Sequence, residues 1–235
     1  MPIPPSDATL PRLLSLSVHE FRTPITVVAG YLRMLLKERG GPLSDQQRRL
    51  LEEAEKSCAR LSALLVEMSD LANLEDGTAK FNRGAVDLRG VLNDAIASLP
   101  AAGEHPVDIQ LTTSDGEASV QGDPVRLKAA FSSLMYAVRR ELVRSNQLFV
   151  KEREGEFRGT AASWIAIGDA EHIGELETAT SDSLTTFDEW RGGCGLSLAI
   201  ARRVIDGHGG RIWSPSQPPV SEDRIAGAIV ALPRS

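Results

Sequence analysis

Val18-His19-Glu20-Phe21-Arg22-Thr23-Pro24 lies inside an apolar repeat that decides what surrounds it. Leu14, Val18, Phe21, Ile25, Val28, Leu32 and Leu35 recur at alternating steps of four and three residues. That is the a/d seam of a helix packing along another helix. The spacing predicts a helix over about residues 8–39, stopped by Gly40-Gly41-Pro42. Ser44 is a suitable N-cap for a second helix. Leu51, Ala54, Cys58, Leu61, Leu65, Met68 and Ala72 repeat the same spacing along it. Two such helices joined by a short turn make an αα-hairpin. One hairpin cannot cover both seams, so the pattern predicts a homodimer whose two hairpins form a four-helix bundle. Pro24 removes a backbone donor and is expected to kink the first helix one turn past His19.

With Val18 on the seam, His19 falls beside it and faces water. A lone histidine there is usually an ordinary surface residue, but these neighbours supply chemistry. Glu20 can accept the imidazole proton, which leaves the other ring nitrogen free to attack phosphorus. Thr23 lies four residues on, on the same helix face. It can orient a water for the reverse, dephosphorylating step.

The bulk properties narrow the class. The chain has 235 residues, 42% hydrophobic and 25% charged, an ordinary globular composition. A net charge of -6 argues against nucleic acid as a partner. No apolar run reaches the length of a membrane span. The start, Met1-Pro-Ile-Pro-Pro-Ser-Asp, has neither the basic region nor the apolar core of a secretory signal. Cys58 and Cys194 stand in unrelated contexts, so no disulfide framework is expected. A cytoplasmic protein follows. The few residues ahead of His19 leave no room for a sensory domain, which admits a separate sensor protein as partner.

A second unit begins near Gly84. Val86–Ala95 reads as a short strand with a helix behind it, and Val107–Leu111 alternates as a strand does. Asp123-Pro124 opens a helix running to about Val143. Leu148–Val150 and Trp164–Ile167 read as strands joined by a turn near Glu154-Gly155. Leu196–Ile205 is helical and stops at Gly207-His208-Gly209-Gly210, with His208 as a terminating residue. Arg211–Trp213 and Gly227–Ala231 read as closing strands. Helices against one antiparallel or mixed sheet make an α+β layered fold. His105 and His172 look incidental. No Cys or His spacing fits zinc, and no residue is assigned to a metal.

His19-Glu20-Phe21-Arg22-Thr23-Pro24 resembles the phosphoacceptor box of sensor histidine kinases, usually His-Glu-Leu-Arg-Thr-Pro, at five of six positions. The second half is similar to the ATP-binding catalytic domain of the same family. Val86–Arg89, the helix start Asp123–Leu127 and Ala199–Trp213 carry that likeness, which spans about residues 10–233. It implies a dimerisation and phosphoacceptor domain over 1–80 and a kinase-like ATP-binding domain over 81–235, an α+β sandwich of the histidine kinase ATPase type.

The resemblance also assigns a nucleotide pocket, and there the match is incomplete. The family's long helix carries two asparagines, the second holding magnesium on the triphosphate. Ser133 and Ala137 stand at those places, and Ala137 offers no oxygen to a hard cation. Arg140 falls where the family often has a basic residue near the phosphates. The first glycine box keeps its aspartate, Asp169, which in the family bonds the adenine amino group. It loses both glycines, and Glu171 brings a charge to where bare backbone should approach the nucleotide. Gly193-Cys194-Gly195-Leu196-Ser197-Leu198 resembles the second box. Glycines opening a helix present N–H groups to an anion. Gly174–Glu189 would then form a flexible lid anchored by Phe187 and Trp190.

Two functions follow. In the first, ATP with magnesium phosphorylates His19, and the phosphoryl group passes to an aspartate in the receiver domain of a response regulator. In the second, the chain is a pseudokinase that acts as a histidine phosphotransferase, phosphatase or adaptor and uses no ATP. A purely structural dimerisation module leaves the order of Glu20, Thr23 and Pro24 around His19 unexplained.

Overall fold

The computed structural model describes residues 9–100, 107–114, 116, 118–142, 145–216 and 225–235. Two compact units meet in the chain between Ala79 and Lys80.

The first unit is a hairpin of α1 (Thr9–Leu36) and α2 (Asp45–Glu75). α1 runs unbroken through Pro24. The ring denies the Glu20 carbonyl its usual partner four residues on. Ser44 caps α2 in a reciprocal capping box: its hydroxyl accepts from Gln47 N–H, and Gln47 Oε1 accepts from Ser44 N–H at 2.9 Å. Burial divides each heptad seam in two. Val18 is 3% exposed, and Cys58, Leu65 and Ala72 are buried with it. The intervening seam residues stay open: Phe21 is 56% exposed, Val28 51% and Leu61 51%. The hairpin therefore covers only half of the apolar pattern that the sequence supplies.

The second unit opens with β1 (Gly84–Asp87), then α3 (Leu88–Ala97), β2 (Asp108–Thr112), β3 (Ser119–Gly122) and α4 (Pro124–Glu141). β4 (Gln147–Phe157), β5 (Thr160–Asp169), α5 (Ile173–Thr178), β6 (Leu184–Thr186), α6 (Ser197–Gly207), β7 (Arg211–Pro215) and β8 (Gly227–Pro233) follow. β1 and β3 form a separate antiparallel pair. The other strands form one mixed sheet in the order β2-β4-β5-β8-β7-β6, parallel only between β2 and β4. Asp87 caps α3 and Asp123 caps α4, each accepting from two backbone N–H groups of the first turn.

Side chains alternate along β5 and β8. On one face Trp164, Ala166, Ile229 and Ala231 cluster with Phe157, Trp213 and the α5 residues Ile173 and Leu176. Trp164 and Trp213 stack at 5.4 Å, with Phe157 edge-on to both. The intervening Ile165, Ile167 and Val230 are fully buried on the opposite face, as are Phe131 of α4 and Leu198 and Ile205 of α6.

Three expectations change. The β4–β5 turn lies at Arg158-Gly159, not near Glu154-Gly155, because the strands stay paired out to Phe157 and Thr160. The segment expected as a flexible lid is largely folded. α5 packs Leu176 against Gly168 and Gly227, and β6 pairs with β7. β3, absent from the sequence reading, closes the pair with β1. No helix among the described residues is long and apolar enough to cross a membrane. The expectation about His105 lies outside the described residues.

Candidate functional site

The hairpin presents His19 at its surface. Val18 turns into the interface with α2, so the next residue, about 100° further round, must point out. His19 opens onto a cleft of about 400 Å³. Arg12 and Ser15 line it from α1, seven and four residues before the histidine. Asn73 and Asp76 line it from the end of α2. Glu20 and Thr23 are exposed on α1, Thr23 one helical turn beyond His19. Neither lines the cleft. Arg12, Asn73 and Asp76 were not singled out from the sequence, because their meeting depends on how α2 lies along α1.

The residues assigned to a nucleotide lie in the second unit. Asp169 ends β5, but its carboxylate is already engaged: Oδ1 accepts from His172 N–H at 2.9 Å and lies 2.8 Å from His172 Nδ1. His172, expected to be incidental, thus closes the turn between β5 and α5. Arg140 and the glycine loop do come together. Arg140 Nη1 donates to the Gly193 carbonyl at 3.3 Å, and the guanidinium lies over the Tyr136 ring at 5.8 Å. Gly193 and Gly195 both hold left-handed backbone, at φ 59° and 62°, which a side chain would strain. Ser197, where the resemblance has a third glycine, donates to the Cys194 carbonyl at 2.8 Å. Burial pushes the Cys194 thiol up, against the pull of Arg140 and Arg191, so it stays protonated at neutral pH.

One element near this loop was not read from the sequence. The buried Arg191 pairs with Glu141 through two nitrogens, at 3.0 and 2.5 Å, and donates to the Gly227 carbonyl at 2.7 Å. This bidentate clamp fastens the segment before the glycines to the end of α4 and the start of β8. A lone arginine in a polar stretch gives no sequence sign of such a role.

For magnesium-bound ATP the fit is partial. Arg140 and the left-handed glycines suit an anion. Ala137 is buried and has no side-chain oxygen, so α4 offers no ligand for the cation at that place. Asp169 Oδ1 serves His172, so an adenine amino group would have to take the other carboxylate oxygen. No group of three or more His, Cys, Asp and Glu poised for a metal occurs among the described residues.

An exposed histidine in this box on a helical hairpin, followed in the chain by an α/β sheet unit, defines a histidine kinase architecture. Residues 12–77 match the family model of the His Kinase A (phospho-acceptor) domain. Among relatives, the chain is 28% identical over 209 residues to the sensor histidine kinase GacS of Pseudomonas protegens. It is 29% identical over 213 residues to the signal transduction histidine-protein kinase BarA of Escherichia coli K12. Each alignment takes in 85% of this chain and 22% of the relative, so the chain spans under a quarter of the length of either. Among solved structures, full-length ShkA in complex with AMPPNP superposes with a TM-score of 0.65 at 21% identity. That match covers 96% of this chain and 46% of ShkA. Residues 12–77 thus form a phospho-acceptor domain of the His Kinase A type, and most of the chain is similar to sensor histidine kinases.

Proposed function

We propose that this protein carries a phosphoryl group on His19 and passes it to an aspartate in the receiver domain of a response regulator. The observation that carries the reading is the placement of His19, exposed to incoming groups while its neighbour Val18 is locked in the hairpin. One imidazole nitrogen attacks phosphorus as the donor's P–O bond breaks, and Glu20 accepts the proton from the other nitrogen. In the forward transfer a receiver carboxylate oxygen attacks phosphorus, the P–N bond breaks, and the ring recovers its proton. Thr23 orients water for the competing hydrolysis. The protein acts as a homodimer, because the open halves of the two seams need a partner surface. The free thiols Cys58 and Cys194 suit a cytoplasmic setting.

The origin of the phosphoryl group has two readings. The likeness to sensor histidine kinases, and the nucleotide analogue held by the similarly folded ShkA, favour ATP with magnesium. Asp169 held by His172, and Ala137 in place of a metal ligand, favour a second reading. In that reading the chain is a pseudokinase that takes phosphate from a phosphorylated partner and acts as phosphotransferase, phosphatase or adaptor.

One experiment separates them. The protein is incubated with radiolabelled ATP and magnesium and, in parallel, with a labelled phospho-receiver domain, as wild type and as His19→Ala. Label from the receiver that is lost in His19→Ala supports phosphoryl carriage. Label from ATP as well supports the autokinase, and its absence supports the pseudokinase. Label that persists in His19→Ala, or none from either donor, removes the proposal.

A further inference from the structure

Between about 8 and 14 Å along α6 from its start at Ser197, a cavity of about 340 Å³ opens beside β7. Arg158, Arg202 and Arg211 line it, with Asp206, Thr186 and Phe187. Three guanidiniums around one cavity are unusual in a chain of net charge -6. Arginines on a surface commonly balance local carboxylates, and two of the local guanidiniums do so. Arg203 pairs with Glu189, and Arg202 is shared between Glu189 at 3.2 Å and Asp206 at 3.8 Å. Arg158 and Arg211 make no ion pair among the described residues.

Those two are nonetheless held in place. Arg158 lies over the Phe157 ring at 4.9 Å and Arg211 over Trp213 at 5.8 Å. Cation–π contact of this kind limits the freedom of a guanidinium without neutralising it. The backbone aims Arg158 too. Arg158-Gly159 is a two-residue hairpin loop with φ of 53° and 77°. Such loops favour asparagine or glycine at the first position, and arginine there is strained. The charges converge: the guanidiniums of Arg202, Arg203, Arg211 and Arg158 all act on the Asp206 carboxyl, although burial outweighs them and pushes it up. The surplus is two positive charges facing one cavity. A planar, five-donor guanidinium matches the oxygens of a phosphate in pairs, and a phosphate dianion matches the surplus.

We infer that Arg158, Arg202 and Arg211 form a binding site for a small phosphate-bearing ligand, either free phosphate or a phosphomonoester. Its lining shares no residue with the His19 cleft or with the Arg140–Gly193 loop. Its occupant would bridge the β4–β5 turn, α6 and β7, so binding should stiffen that edge of the sheet.

The test is calorimetric titration of the full chain near neutral pH with inorganic phosphate and, separately, with glucose 6-phosphate. Sodium chloride at matched ionic strength is the control. Saturable 1:1 binding of either phosphate, absent with chloride, is expected. Saturation by both assigns the phosphate group itself, and saturation by the ester alone assigns an organic phosphate. Arg211→Ala and Arg158→Gly should each weaken binding by about ten-fold or more, the loss of one charge-assisted hydrogen bond. Arg158→Gly also relieves the strained turn, so its melting temperature should hold or rise while affinity falls. Unsaturable heats with both ligands, or affinities equal to wild type in both variants, would overturn the assignment.

Discussion

At the residue scale, the proposed chemistry divides between Glu20 and Thr23, and the two directions of transfer separate them. Glu20 bears on the proton of the imidazole, so Glu20→Gln should slow phosphorylation of His19 by about 10²–10⁴-fold, the usual worth of a positioned base. Thr23 bears on water. Thr23→Ala should leave phosphorylation close to wild type and lengthen the life of the phosphohistidine. Time courses of label gain from a donor and of label loss after its removal measure the two separately. Equal slowing of gain and loss in both variants would show that neither residue has its assigned part. The exposed position of His19 was legible because its setting is local: a seam residue before it, an acid after it, a hydroxyl one turn on. The state of Asp169 was not. Its sequence context, an acid after an apolar strand, is satisfied equally by a carboxylate facing a ligand and by one that ties down its own turn. Only the position of His172 three residues later decides between them. Arg191 was hidden for the same reason, since its partner Glu141 lies 50 residues away.

At the element scale, strong caps were readable and short packed pieces were not. Ser44, Asp87 and Asp123 announce their helices through side chains that bond backbone within three residues. α5 and β6 lie in a stretch rich in Ser, Thr, Asp and Glu, and only a few apolar residues such as Leu176 hold them to the sheet. Local composition therefore pointed to a loop, and tertiary packing overrode it. His208 does more than end α6. Its Nδ1 donates to the Val204 carbonyl at 2.6 Å, which leaves Nε2 to accept the Asp123 backbone N–H at 2.9 Å. One neutral ring thus joins the end of α6 to the start of α4. Burial, helped by Arg83 and Arg126, lowers its pKa below the ordinary histidine value, against the Val204 bond and Asp123. The unfolded chain, with a histidine pKa of about 6.5, therefore takes up the proton first as pH falls. His208 contributes fully above that value, and its contribution drains away as pH drops from there through the lower folded pKa. Melting temperature should fall as pH drops below about 6.5, and His208→Gln should flatten that slope. A wild-type slope in the variant would place the pH dependence elsewhere.

At the scale of the whole molecule, the two units meet opposite demands. The sheet unit closes its core by itself, with β5 and β8 covered on both faces. The hairpin cannot do so. Its two seams were read from spacing as continuous stripes, and spacing cannot tell which half of each stripe the neighbouring helix takes. The structure assigns Val18, Cys58, Leu65 and Ala72 inward, and Phe21, Val28 and Leu61 outward. Outward apolar residues at heptad spacing suit a second copy of the same surface, since a two-fold interface brings each stripe against its own image. Charge placed on the outward half should therefore separate the copies without unfolding either. Phe21→Glu with Val28→Glu should shift the full chain from dimer to monomer in sedimentation equilibrium, while helical circular dichroism stays near wild type. The inward half predicts the reverse. Leu65→Ala opens a cavity inside the hairpin, costing about 2–5 kcal/mol of stability, and leaves the outer stripe intact. If the double glutamate variant remained a dimer, the exposed stripe would not be the dimer interface, and the four-helix bundle would have to be abandoned.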